Sequence, residues 1–202
     1  MWVIILKQIK KLSILFVALI ILITLNPLKV LGVNNDSNIY MLGDSRFVGM
    51  KDYDNSSNHF YYAEVGKGYK YLVQTWNNMG NLPDENDYIV INFGVNDLGN
   101  IDKYIDFINQ IQSETYAKII VMTVNPVNET NEASHGYNIK NTTIDDFNRR
   151  ISQETNSNIY IMDTNSFLTK NGFSSKDGIH FSSQTYENIL DYCNSFIDNF
   201  EE

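Results

Sequence analysis

A three-layer α/β/α sandwich around a five-stranded parallel sheet is the fold this sequence predicts, and two observations carry it. Five short apolar runs of strand type recur between residues 38 and 162, and the stretches between them return their apolar residues at helical spacing. A strand reaches a parallel neighbour only through a crossover of a dozen or more residues, which a helix supplies, and such crossovers are right-handed.

Taken in order, the predicted strands are Asn38 to Leu42, Phe60 to Val65, Tyr88 to Phe93, Lys118 to Val124 and Asn158 to Met162. Ile101, Tyr104, Ile105 and Ile108 mark one apolar helix face between the third and fourth strands. Ile144, Phe147 and Ile151 mark another between the fourth and fifth. A last helix begins near Ser182 and carries the stripe Ile189, Cys193, Phe196, Ile197, Phe200. Cys193, the sole cysteine, falls on that stripe, so it is expected in the core and no intramolecular disulfide is possible. The longest irregular segment, Asn125 to Asn141, is polar and contains His135; loops of that length inside a domain are usually functional or disordered, and this one is expected to wall a substrate site.

The two ends of the chain differ in kind. Residues 1–32 hold Lys7, Lys10 and Lys11, the apolar run Ile14 to Leu25, and then Asn26-Pro27, the layout of a secretory signal peptide with cleavage expected after Gly32. An uncleaved N-terminal membrane anchor is the alternative, because Met1 to Leu6 is also apolar. Either way, residues 33–202 form one domain of ordinary size that is secreted or held at the cell surface. Residues 1–32 carry four lysines and no acid, so the remainder sets 11 basic against 24 acidic residues, a net charge of −13. Such a chain has no electrostatic footprint for nucleic acid and is repelled by anionic lipid, leaving membrane attachment to residues 1–32 alone. A neutral or small substrate is expected.

In open parallel sheets ligands bind beyond the carboxyl ends of the strands. Ser45 follows the first strand in Gly43-Asp44-Ser45, Gly66 and Gly68 follow the second, and Asn96 follows the third in Gly94-Val95-Asn96-Asp97. Asp177 and His180, in Asp177-Gly178-Ile179-His180, lie after the fifth strand and before the last helix. A serine hydroxyl becomes a competent nucleophile only when a base accepts its proton, and His180 is the candidate. Asp177 stands three residues earlier, a spacing that in a helical turn brings two side chains to one face, so its carboxylate can orient the imidazole. His59 and His135 have no carboxylate at such spacing and are expected on the surface. Asn96 offers a side-chain NH2, and Ser45 and a loop glycine offer backbone N–H groups, to an oxygen that becomes charged; one such donor contributes about 2.7–4 kcal/mol. Three dispersed histidines and one cysteine form no metal-ligand pattern, and neither metal nor cofactor is expected.

Together the three segments resemble the SGNH (GDSL-type) hydrolase family. The resemblance covers nearly all of residues 33–202 and implies the flavodoxin-like SGNH hydrolase fold. It implies Ser45, His180 and Asp177 as the catalytic triad and an oxyanion hole of Ser45, Gly68 and Asn96. Gly68 is favoured over Gly66 because the family's donor glycine is the later one, at the start of the following helix. Arg46 departs from the Leu of the family's Gly-Asp-Ser-Leu sequence; pairing with Asp44 or Asp97 is expected of it, binding an anionic part of the substrate being the alternative. Asp97 is expected to hold its loop. The implied function is an exported serine esterase removing short acyl groups, acetyl above all, from small-molecule or carbohydrate esters through an acyl-serine intermediate. Transfer of an acetyl group to a cell-surface glycan and a catalytically silent binding module are the alternatives.

Overall fold

The computed structural model describes residues 37–131, 136 and 138–200; residues 1–32 and His135 lie outside them. Five strands are present, β1 Ile39–Gly43, β2 His59–Ala63, β3 Tyr88–Asn92, β4 Lys118–Met122 and β5 Ile159–Met162. The helices are α1 Ser45–Lys51, α2 Tyr69–Asn77, α3 Ile101–Glu114, α4 Asn141–Glu154, α5 Thr164–Asn171 and α6 Ser183–Asp198. All four strand pairings are parallel, in the order β2-β1-β3-β4-β5, the flavodoxin-like order.

The strands fall where the apolar runs predict, but their ends are set by pairing. β2 stops at Ala63 because β1, its only neighbour among the described residues, ends at the opposing Gly43. Val124 leaves β4 because the Asn148 side chain takes both of its backbone groups, accepting from its N–H at 2.8 Å and donating to its carbonyl at 2.9 Å. The sequence gives no helical signal for α5, which forms on local polar bonds: the Asp163 carboxylate caps Ser166 N–H at 3.0 Å and Thr164 Oγ1 donates to Thr123 O at 2.9 Å.

β3 is buried along its whole length and divides the interior in two. Ile89 and Ile91 join Leu42, Ile119 and Val121 against α2, α3 and α4, where Trp76, Tyr104, Ile108 and Phe147 are packed. Tyr88 and Val90 join Met41, Ile120 and Met122 against α1, α5 and α6, where Phe47, Leu168, Ile189 and Cys193 are packed. That alternation is the pleat of a strand covered on both faces. Cys193 is fully buried, which pushes its thiol up to about 12, in keeping with a core residue.

His59 corrects the expectation of a surface residue. It opens β2, at the amino edge of the sheet, with Nδ1 2.6 Å from Asp54 Oδ2, and the two side chains are only 4% and 2% exposed. Tyr61 OH donates to the same oxygen at 2.6 Å. Burial pushes the Asp54 carboxyl up, but bonds from His59, Tyr61 and Ser56 outweigh it and hold the group well below the usual carboxylate range. The five-residue spacing of Asp54 and His59 crosses the turn after α1 and has no helical signature.

Candidate active site

Ser45 is the first residue of α1, placed at the carboxyl edge of the sheet by the turn that follows β1. Asp44 caps that helix, its carboxylate accepting from Arg46 N–H at 3.0 Å. Gly43 lets the chain turn so closely because a Cβ there would collide with the ring of Phe47.

His180 Nε2 stands 2.9 Å from Ser45 Oγ, and its Nδ1 stands 2.6 Å from Asp177 Oδ2. The three groups therefore form one line, carboxylate to imidazole to hydroxyl, between residues more than 130 positions apart in the chain. The backbone that delivers Asp177 and His180 is a turn and not the helical one the spacing suggests. Asp177 Oδ1 accepts from Ile179 N–H at 3.0 Å and His180 N–H at 2.8 Å, Gly178 takes φ +88°, and Ser175 pairs with Phe181 across the loop. One carboxylate thus builds the turn with one oxygen and orients the imidazole with the other. Burial pushes Asp177 up, but the bonds from His180 and Ile179 prevail and hold it down at about 2, so it is charged throughout the neutral range.

Asn96 follows β3 through Gly94, whose φ of +125° and tight fit against Phe147 and Val124 require glycine. Its Nδ2 donates to Lys67 O at 2.7 Å and points at Asp44 Oδ2 across 3.4 Å. Among the described residues the backbone N–H groups of Ser45 and Gly68 have no protein acceptor. Gly68 is the glycine that starts α2, and a Cβ on it would run into the Asp97 carboxylate, whereas a Cβ on Gly66 would meet open space. The Lys67–Gly68 peptide nevertheless turns its carbonyl toward Asn96. In a trans peptide C=O and N–H point opposite ways, so the Gly68 N–H faces away from the Asn96 amide. The predicted oxyanion residues thus converge on one edge, with the Ser45 N–H ready, the Asn96 amide engaged by Lys67 O and Asp44 Oδ2, and the Gly68 N–H rotated out.

Asp97 holds the loop as expected: Oδ2 accepts from Tyr69 N–H and Asn100 Nδ2, both at 2.9 Å, and Oδ1 accepts from Tyr104 OH at 2.7 Å. Arg46 corrects the expectation of an ion pair. Its side chain is buried, and the guanidinium donates to the backbone carbonyls of Asn125 at 2.8 Å and of Ile179 and Pro126 at 3.4 Å, over the ring of Phe181. Only its backbone N–H reaches Asp44, and burial in this position leaves no face for an anionic substrate.

Asp44 is fully buried, and burial pushes its carboxyl up from 3.8 to about 6, partly opposed by the charge and N–H of Arg46 and by His180. A carboxyl raised in the folded state binds its proton more tightly there than in the unfolded chain. Its contribution to stability is therefore complete below about pH 3.8 and is lost as pH rises through about 6. Asp44→Asn keeps a capping oxygen without the buried charge. The urea midpoint of the variant, measured from pH 4 to 7, is expected to lack this decline and to exceed that of the wild type above pH 6.

A cleft of about 390 Å³ opens beside this edge, lined by Gly68, Lys70, Tyr71, Gln74, Asn96 and Asn100 among others. The described part of the 125–141 segment lines a separate cavity of about 490 Å³, with Pro126, Val127 and Asn128 facing Leu168 and Phe173. Among the described residues no group of His, Cys, Asp and Glu is arranged to hold a metal ion.

A family model described as GDSL-like lipase/acylhydrolase matches residues 35–193. Solved structures share the fold. The lipase/acylhydrolase from Enterococcus faecalis superimposes with a TM-score of 0.61 at 18% identity, over 81% of this chain and 96% of that one. The acetyl xylan esterase AlAXEase gives 0.60 at 16% identity, over 79% and 99%. The acetylxylan esterase Axe2 from Geobacillus stearothermophilus gives 0.56 at 15%, over 80% and 94%. No curated protein matches in sequence.

Proposed function

The chain belongs to the GDSL-like lipase/acylhydrolase family and is a carboxylic ester hydrolase, and on that premise we propose that it is an exported serine esterase removing acetyl groups from carbohydrate esters. The observation that carries the mechanism is the 2.9 Å approach of His180 Nε2 to Ser45 Oγ, with Asp177 2.6 Å behind Nδ1. Ser45 Oγ attacks the ester carbonyl carbon while Nε2 takes its proton. The tetrahedral intermediate collapses, its alcohol leaves with that proton, and acyl-Ser45 remains. Water then attacks the acyl carbon with His180 again as base, releasing the acid and restoring the hydroxyl.

The oxygen that becomes charged is held by Ser45 N–H, and by Asn96 Nδ2 and Gly68 N–H once the Lys67–Gly68 peptide rotates under a bound substrate and its carbonyl releases the Asn96 amide. Catalytic bonds commonly tighten only in the substrate complex. The amide and hydroxyl groups around the cleft suit a polyhydroxylated alcohol, and acetyl xylan esterases among the structural neighbours are consistent with an acetyl group. Residues 1–32 direct the enzyme to the cell surface or beyond.

Hydrolysis of p-nitrophenyl acetate, butyrate and decanoate, release of acetate from acetylated xylan, and labelling by a fluorophosphonate together test this reading. Acetyl is expected to be the preferred acyl group, with acetate released from the polymer and one label per chain. A preference for decanoate would overturn the substrate class, and the absence of a label on active enzyme would overturn the serine mechanism.

A further inference from the structure

Arg46 follows the nucleophile directly, yet its side chain touches neither Ser45 nor the cleft. It runs from α1 beneath the site to Ile179 O, inside the turn that carries Asp177 and His180, and to Asn125 O and Pro126 O after β4. Phe181, next to His180, presents its ring 5.3 Å from the guanidinium carbon. One cation thus joins three segments of chain: the helix bearing Ser45, the turn bearing His180 and the exit of β4. The guanidinium meets each carbonyl with a different nitrogen, Nε, Nη1 and Nη2, whereas the three N–H groups of an ammonium radiate from a single atom. Among the described residues the cation has no carboxylate as its direct partner, so it is retained in the interior by carbonyl dipoles, the Phe181 face and the nearby Asp44 charge. Such an arrangement costs desolvation that an apolar residue would avoid, which points to a role beyond packing.

We propose that Arg46 is a positioning residue that sets the Ser45 to His180 distance by tying the Asp177–His180 turn to the nucleophile helix. The proposal rests on the Ser45–His180 reading above. Arg46→Lys keeps charge and approximate length, but its single nitrogen cannot stand within reach of all three carbonyls that Nε, Nη1 and Nη2 now serve, so the turn drifts relative to α1. A displacement of about 1 Å in a reacting pair lowers the rate about 10²-fold. The cleft beside the site is lined by other residues, so the loss is expected in kcat with KM little changed.

The test is a double-mutant cycle in the full chain, with p-nitrophenyl acetate kinetics and thermal melting for wild type, Arg46→Lys, His180→Ala and the double variant. Arg46→Lys is expected to melt cooperatively, to lose about 10²-fold in kcat, and to lose almost nothing further in the His180→Ala background. An unchanged kcat in folded Arg46→Lys, or an equal loss with and without His180, would overturn the proposal while leaving the hydrolase reading intact. A wild type that neither turns over nor takes a fluorophosphonate would overturn both. Should Arg46→Lys fail to fold, Phe181→Leu provides the second variant: it withdraws the ring and leaves the three carbonyl bonds. A smaller loss with the same kcat bias and the same dependence on His180 supports the proposal, and its absence counts against it.

Discussion

Ser45→Ala is expected to lower kcat for p-nitrophenyl acetate by at least about 10⁴-fold, with folding intact and no fluorophosphonate adduct. The magnitude follows from what the substitution removes. Without Oγ no acyl-enzyme forms, and His180 and Asp177 are left to assist only the slow direct attack of water, because residues of a triad act as a unit. The remaining rate comes from substrate binding and the donors at Ser45 N–H and Asn96, which the substitution leaves in place. Little stability is at stake: Ser45 is 7% exposed and its hydroxyl makes one side-chain bond, to His180, so the melting temperature is expected to move by a few degrees at most. Intact-mass measurement after fluorophosphonate treatment gives the complementary readout, one adduct on wild type and none on the variant. Survival of either activity or labelling in Ser45→Ala would place the nucleophile elsewhere in the chain.

What the sequence made legible is whatever local pattern or chain order decides. The run Tyr88 to Phe93 is apolar without alternation because both faces of β3 are covered, and it announces a central strand. Cys193 is predictable as core because four apolar neighbours share its helical stripe. Ser45, Asn96 and the Asp177–His180 pair can be placed at one sheet edge because each follows a strand, or a loop that returns to the same edge. Distances between loops lie beyond such reasoning. Arg46 finds its carbonyls 79, 80 and 133 residues away, whereas sequence reasoning offers it only carboxylates, Asp44 two residues before it and Asp97 in a loop at the same sheet edge. The burial of His59 escapes the sequence for a related reason: Asp54 meets it across a turn whose spacing carries no period. The orientation of the Lys67–Gly68 peptide is a joint choice of Lys67 ψ and Gly68 φ, held by the contact of Lys67 O with Asn96, and no residue type encodes it.

Asp177→Asn is expected to cost about 10⁴-fold in kcat, far more than its loss of charge on a partly exposed site would suggest. The argument is one of hydrogen-bond accounting at a single side chain. Oδ1 already serves two backbone donors, Ile179 N–H and His180 N–H, and an asparagine must keep its carbonyl oxygen there or break the turn. Its NH2 then faces His180 Nδ1, where a carboxylate oxygen now accepts. A donor at that position forces Nδ1 to accept, which moves the imidazole proton to Nε2. Nε2 then donates toward Ser45 Oγ and cannot remove its proton. The variant should therefore retain the turn, bind substrate normally and fail as a base, giving a collapse in kcat without a matching rise in KM. It should also alter the acid response. Asp177 is depressed from 3.8 to about 2 in the folded state, so its stabilising contribution is present above about pH 3.8 and fades as pH falls through about 2; Asp177→Asn lacks that fading. Steady-state kinetics beside acid unfolding followed by circular dichroism separate the two effects. A folded Asp177→Asn enzyme within tenfold of wild type would show that His180 does not need this carboxylate to choose its tautomer, and the line from Asp177 to Ser45 would lose its catalytic meaning.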